Sequence, residues 1–241
     1  SDVATNRTIR GPCPQCSQGK HKHAPQPPST SAPADHPGQV ISFDPSILPQ
    51  PSPGGFTHVI FMVDEYSGFV TVTGARSKST PHVFDSIRSI ITKIYNANGH
   101  KVDTLHGDCE KINLSLAQPL GAISCTLVAS LPADHAHRVE RTVQTLIGVC
   151  SAMLASLSYH LPDKYILPLL QAAAYCRNSL VTPKTSPFTP NELVLHSPPT
   201  TPPFPFGHCC MVTVPIDKRI SNAKRYDTYP KLESKTELGV C

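Results

Sequence analysis

Three acidic residues stand in separately recognisable contexts: Asp44 closes Val-Ile-Ser-Phe-Asp, Asp108 closes Thr-Leu-His-Gly-Asp, and Glu140 lies in His-Ala-His-Arg-Val-Glu-Arg. The first two end short apolar runs that read as buried strands, and the third lies just inside a helical repeat. A carboxylate at the end of a strand projects from a rigid sheet edge. Three of them brought together could hold two divalent cations against phosphodiester oxygens, and an oxygen-only donor set favours Mg²⁺ or Mn²⁺ over zinc. With 17 Asp and Glu in 241 residues an ordered acidic triple arises readily by chance, so the weight falls on the contexts. A second chemistry is written at Cys13-Pro-Gln-Cys16, where two thiolates at zinc-ligand spacing supply half of a four-ligand structural site. His21 and His23 stand nearby without the usual ligand spacing and read as part of a solvated linker.

The elements that must position these groups follow from periodicity and turn residues. Residues 39–43, 58–64 and 69–73 read as three strands, separated by Pro53-Gly54-Gly55 and Ser67-Gly68, which suit antiparallel hairpins. A helix then begins at Pro81, capped by Ser79 or Thr80. Val83, Phe84, Ile87, Ile90, Ile91 and Ile94 recur along it at helical spacing until Asn98-Gly99. Residues 102–105 form a fourth strand delivering Asp108, and 122–127 a fifth. Val139, Val143, Leu146, Cys150, Met153 and Leu157 make an apolar stripe along the helix bearing Glu140, with Asp134 as its N-cap. Glu140 falls about 100° off that stripe, with Gln144 one turn further along the same side. Without further context, pairing of Glu140 with Arg138 or Arg141 on an exposed face is the simpler reading.

Composition divides the chain. Pro25, Pro27, Pro28, Pro33 and Pro37 sit among Ser, His and Thr in a segment too polar to pack a core. Residues beyond 182 return to Pro-rich sequence, with a strand candidate at 211–214. A net charge of +4 with 12 His is compatible with nucleic acid without being diagnostic. No apolar run reaches 18 residues and no signal peptide is visible, so a soluble, non-secreted protein without membrane partners is expected. Nine scattered Cys point to reduced thiols rather than a disulfide framework.

The chain resembles the integrase of copia/Ty-class LTR retrotransposons, from about residue 11 to the C-terminus. The likeness is carried by Cys13-Pro-Gln-Cys16 with Gly19-Lys20, by Phe61-Met-Val-Asp-Glu-Tyr-Ser-Gly-Phe69, and by His135-Ala-His-Arg-Val-Glu-Arg141. Tyr175-Cys-Arg-Asn-Ser-Leu-Val181 with Thr189-Pro-Asn-Glu-Leu193, and Pro205-Phe-Gly207 through Val214-Pro215 and Lys218-Arg219, complete it.

The resemblance implies an α/β, RNase H-like core of the retroviral integrase type, with a mixed five-stranded sheet, flanking helices and irregular Pro-rich arms. The implied divisions are a zinc-module remnant and linker at 1–36, a catalytic core at 37–185 and an extension at 186–241, all cut from a larger polyprotein. It also implies metal-dependent 3′-end processing and strand transfer, with Asp44, Asp108 and Glu140 catalytic and holding Mg²⁺ or Mn²⁺. Cys13 and Cys16 would keep a partial Zn²⁺ site. Lys111, Arg138 and Arg141 would meet element and target DNA in a homo-oligomer working in the nucleus after a cytoplasmic virus-like-particle stage.

Departures from the family pattern lie beside the carboxylates. Cys109-Glu110-Lys111 follows Asp108, and 31 residues rather than the usual 35 separate Asp108 from Glu140. The alternative is therefore a catalytically inactive, decayed or domesticated integrase-like protein that binds nucleic acid.

Overall fold

The computed structural model describes residues 33–108, 114–130, 136–200, 206–207, 209–213 and 236–240; of 130, 136–138, 209–213 and 236–240 it describes the backbone alone. Five strands form one sheet: β1 (Val40–Ser52), β2 (Phe56–Asp64), β3 (Val70–Ala75), β4 (Thr104–Asp108) and β5 (Thr126–Ser130), in the spatial order β3-β2-β1-β4-β5. The β1–β2 and β2–β3 pairs are antiparallel, while β1–β4 and β4–β5 are parallel. The inner strand β2 is buried on both faces, with Ile60 and Met62 in one core and Val59, Phe61 and Val63 in the other. Its near-continuous apolar run follows from that double burial.

Helices cover both faces. On the first lie α1 (Thr80–Ile90), continued by a π turn (Ile91–Tyr95) and a 3₁₀ turn (Asn96–Asn98), then α2 (Ala117–Gly121) and, later in the chain, α5 (Pro190–Leu195). On the second lie α3 (Ala136–Ala155) and α4 (Ile166–Asn178). Pro81 occupies the first turn of α1 after Ser79, and Gly99 ends the unit in the left-handed region at φ 80°. The π turn gave no signal in the apolar spacing. The stripe on α3 packs as the spacing predicts as far as Met153: Val139, Leu146 and Cys150 are buried and Val143 and Met153 half-buried against the second core, whereas Leu157, also half-buried there, lies two residues past the helix end. A separate two-stranded ribbon pairs β6 (Cys209–Thr213) antiparallel with β7 (Thr236–Val240), starting two residues and ending one residue before the 211–214 expectation and with a partner not foreseen.

Several strand boundaries differ from the sequence reading: the fourth strand, expected at 102–105, runs from Thr104 to Asp108 and so contains the carboxylate it was to deliver. β1 does not end at Asp44 but runs eight residues further, still paired with β2 through Ile47. Its pairing with β4 stops at Ser42–His106, so Pro45 and Pro49 lie where the strand has one neighbour only, and a missing N–H there breaks no second ladder. The fifth strand starts at Thr126, and Ala122 and Ile123 belong to the turn after α2, where Ser124 takes φ 59°.

The edge strand β3 is closed by a side chain. Asn178, at the end of α4, accepts from Val70 N at 2.9 Å and donates to Val70 O at 2.7 Å, reproducing the two bonds a further strand would make. Gln171 donates to Val72 O at 3.2 Å, and Arg177 donates to Gly68 O at 2.6 Å. This gives the Arg177-Asn178 motif a structural purpose. Arg177 is thereby tied to the edge of the sheet. Asn178→Ala leaves both Val70 groups buried without partners, and a loss of about 2–4 kcal/mol is expected in urea unfolding. A midpoint equal to the parent's would refute the clamp.

Candidate active site

The sheet forks at the middle. Ser42–His106 is the last rung of the β1–β4 pair; beyond it β1 stays with β2, as Asp44 pairs with Phe61, while β4 stays with β5, as Asp108 pairs with Ser130. Continuing the parallel register by two residues brings Asp44 level with Asp108, both on the face that carries α3. This is also where the chain's connections leave in opposite directions, the place at which open α/β sheets form their binding crevice.

The fork opens into a cleft of about 340 Å³ lined by Ser42, Phe43, Asp44, His106, Gly107, Asp108, Val139, Glu140, Val143 and Gln144. The structure thus places all three sequence-predicted carboxylates on one cleft, two from the sheet and one from the helix above. Asp44 and Glu140 are exposed and Asp108 is half-buried. Asp44 reaches the cleft from within its strand, so the expectation that it ends one is replaced by the fork, which frees its side. Gln144 Nε2 donates to Glu140 Oε1 at 3.3 Å, one helical turn away. Val139 and Val143, on the docking stripe, close the cleft's apolar wall.

Beneath the carboxylates lies a polar layer the sequence reading did not assign. Ser42, 1% exposed, donates through Oγ to Glu65 Oε1 at 2.9 Å, and His106 Nδ1 lies 3.5 Å from the same oxygen. Ser42 and His106 each precede a candidate carboxylate by two residues, the strand period that puts them on its face. That spacing was a usable signal; the partner, Glu65, was not visible.

Next to Glu65, Asp64 is fully buried and structural. Its carboxylate accepts from Gly38 N and Tyr66 N, each at 2.8 Å, and from Ser67 N at 3.2 Å. The Tyr95 hydroxyl bonds to it as well, and burial together with that charge holds the phenol well above its ordinary range. Burial raises the Asp64 carboxyl above 3.8, against the pull of the three N–H donors and Lys184. Gly38 is required there: at φ 86° a Cβ would stand 2.6 Å from Lys101 O.

The donor chemistry of the cleft suits a hard divalent cation, being three carboxylates without a thiolate. Among the described residues, however, no three His, Cys, Asp or Glu side chains are already gathered closely enough to hold one. The buried thiols of Cys125 and Cys150 are pushed up to about 11, chiefly by burial, which makes them inert packing groups. Arg141 is exposed on α3. Cys13, Cys16, His21, His23, Lys111, the proposed cap Asp134 and the side chain of Arg138 lie outside the described residues. No helix among the described residues is long and apolar enough to cross a membrane.

A five-stranded mixed sheet between two helical layers, with carboxylates at its central fork, defines an RNase H-like core. Solved structures of the same fold narrow the type. A chain of the simian T-cell lymphotropic virus intasome in complex with PP2A regulatory subunit B56 gamma is similar with a TM-score of 0.55 and 15% identity, covering 100% of this chain and 80% of that one. The catalytic core domain of BIV integrase is similar with a TM-score of 0.50 and 17% identity, covering 66% of this chain and 95% of that domain. No protein-family model matches the chain, and no curated protein matches its sequence. At these identities the likeness establishes the fold: an RNase H-like core of the retroviral integrase type.

Proposed function

We propose that this chain is the integrase region of a copia/Ty-class LTR retrotransposon polyprotein, with a zinc-module remnant at 1–36, a catalytic core at 37–185 and an extension at 186–241. Its activity is metal-dependent trimming of element 3′ ends and their transfer into target DNA. The observation that carries the reading is the meeting of Asp44, Asp108 and Glu140, drawn from three separate motifs, on one cleft at the sheet fork. Asp44, Asp108 and Glu140 would hold Mg²⁺ or Mn²⁺, which when bound activates the attacking oxygen and stabilises the leaving one. Because these side chains are not drawn together in advance, binding has to gather them.

The rest falls to the chain itself. Joining is a transesterification: a 3′ hydroxyl oxygen forms a bond to a target phosphorus as that phosphorus loses its bond to the neighbouring 3′ oxygen. One phosphodiester replaces another, so no energy-rich co-substrate is needed. Val139 and Val143 exclude water from one wall, and β1 and β4 present two carboxylates from the same face of the sheet. Arg138, Arg141 and Lys111 serve the phosphate backbone, Cys13 and Cys16 retain part of a Zn²⁺ site, and a homo-oligomer acts on DNA in the nucleus after a cytoplasmic particle stage.

The test is strand transfer of a labelled element end into plasmid DNA with Mg²⁺ or Mn²⁺, beside a DNA-binding titration over a range of salt. Joining that chelator abolishes supports the reading. A specific observation favours a second reading, DNA binding without chemistry, since no three-ligand group is preformed among the described residues. Salt-sensitive binding with no joining would select it, and loss of both would leave a decayed fragment. In either binding reading Arg141→Ala is expected to weaken affinity and to reduce the salt slope by about 1. An unchanged slope removes Arg141 from the interface.

A further inference from the structure

We propose that the outer face of the second half of α3 is a contact surface for a second copy of this chain, paired antiparallel about a twofold axis near Ser151. From Thr142 to Pro162 the sequence holds no Asp, Glu, Lys or Arg. Much of that stretch faces solvent: Ile147 is 54% and Leu154 41% exposed, and Gly148, Ser151, Ala152 and Ala155 are exposed beside them. Ile147 and Leu154 stand two turns apart, within about 20° of each other around the helix axis. A helix covering a core ordinarily turns charged residues to water on its far side. α1 does so with Asp85 and Arg88, and the start of α3 does so with Glu140 and Arg141. The second half of α3 instead offers water a continuous uncharged face that carries two large apolar side chains, the mark of a contact surface rather than of one stray leucine.

The occupant follows from the charges. A twofold contact sets each patch against its own copy, so any charge on it meets its like, and a neutral patch escapes that repulsion. DNA, by contrast, needs cations that this face lacks. The direction follows as well. Parallel helices would bring Glu140 against Glu140 and Arg141 against Arg141, whereas antiparallel ones carry these residues to opposite ends of the contact and align the helix dipoles favourably. With the axis near Ser151, Ile147 of one copy meets Leu154 of the other. Gly148, Ser151 and Ala155 place no long side chain between the two backbones. The shared stretch from Ile147 to Ala155 is only about 12 Å long, well short of the roughly 800 Å² per partner of a standard interface. The dimer is therefore weak, with a dissociation constant on the order of 10–100 µM. The contact gives the homo-oligomer proposed above a surface and uses none of the cleft's chemistry.

The experiment is sedimentation velocity of the full chain from roughly 5 to 500 µM at about 0.15 M salt, with urea unfolding of each variant alongside. The parent is expected to pass from monomer toward dimer across that range. Ile147→Lys with Leu154→Lys, both at exposed positions, should weaken association at least about tenfold. Ile147→Lys with Leu154→Glu sets a cation against an anion of the other copy twice over, and should associate at least about tenfold more tightly than the Lys pair. Ile47→Lys is the control: Ile47 is 73% exposed and shares the strand face of Ile41 and Phe43, opposite α3, so association should stay parental. A parent that stays monomeric throughout overturns the proposal. So does a Lys pair that associates like the parent, equal association of the two double variants, or an Ile47→Lys as weak as the Lys pair. If the Lys pair fails to fold, Ser151→Arg decides, since it sets a long cation against its own copy at the axis: lost association supports the proposal and parental association overturns it. Joining of DNA ends is not read in any arm, so a monomeric parent leaves the cleft reading standing.

Discussion

Asp44→Asn lowers strand transfer by at least about a thousandfold, equivalent to about 4 kcal/mol of lost transition-state stabilisation, while DNA affinity holds or rises. The substitution keeps the size and shape of the side chain at an exposed position within the β1–β2 ladder. The fold is therefore untouched, and the loss is confined to one negatively charged oxygen donor on the cleft. Affinity behaves oppositely because a carboxylate facing phosphate repels it, and Asn does not. Measured in parallel, joining and filter binding must separate. Joining by Asp44→Asn at the parental rate would exclude this cleft from the chemistry, and equal loss of both would point to a folding or binding defect instead.

The second large effect concerns stability. Asp64→Ala strips the acceptor from three backbone N–H groups and the Tyr95 hydroxyl in a site that water does not reach. At about 1–3 kcal/mol for each buried donor left unsatisfied, the loss is expected to be about 4 kcal/mol or more, close to the whole stability of a small domain. Asp64→Asn is milder yet still destabilising, because one of its two acceptor positions becomes an NH₂ facing an N–H. Linkage gives a second signature. The folded carboxyl titrates above 3.8, so the folded state binds more protons than the unfolded state between that value and its raised one. The Asp64 contribution therefore makes stability fall as pH rises through that window, and above it the charged, buried form remains a constant penalty. Asp64→Asn should lose that slope in urea midpoints measured against pH. A slope unchanged from the parent would show that another group titrates there.

These residues also show what a sequence does and does not disclose. The stripe from Val139 to Cys150 was legible because helix periodicity is local: four-and-three spacing decides which face is buried whatever the partner. Pro81 and Gly99 marked the ends of one unit for the same reason. The length of β1 was not legible, since Pro45 and Pro49 look like breakers until the departure of β4 makes them harmless. Asp64 sits in a recognisable motif, but its role depends on Gly38, 26 residues away, and on Tyr95 in a turn of unforeseen π form. The cleft shows the same division. Asp44, Asp108 and Glu140 were named from their contexts, and Ser42 and His106 follow from the two-residue strand period. Their common partner Glu65 required the parallel register of β1 and β4, which no local pattern specifies.

The Asn178 clamp has a consequence for biosynthesis. Its two bonds to Val70 span 108 residues of chain, so during translation β3 emerges long before the group that closes its edge. At roughly 5–20 residues per second the nascent sheet waits about 5–22 s with that edge unfinished. Throughout that interval it is a template to which a strand of another nascent chain can add. Yield in a crowded polysome is therefore expected to fall with slower elongation across 70–178 and to rise with chaperone cover, and slow codons placed shortly before α4 would lengthen the vulnerable period.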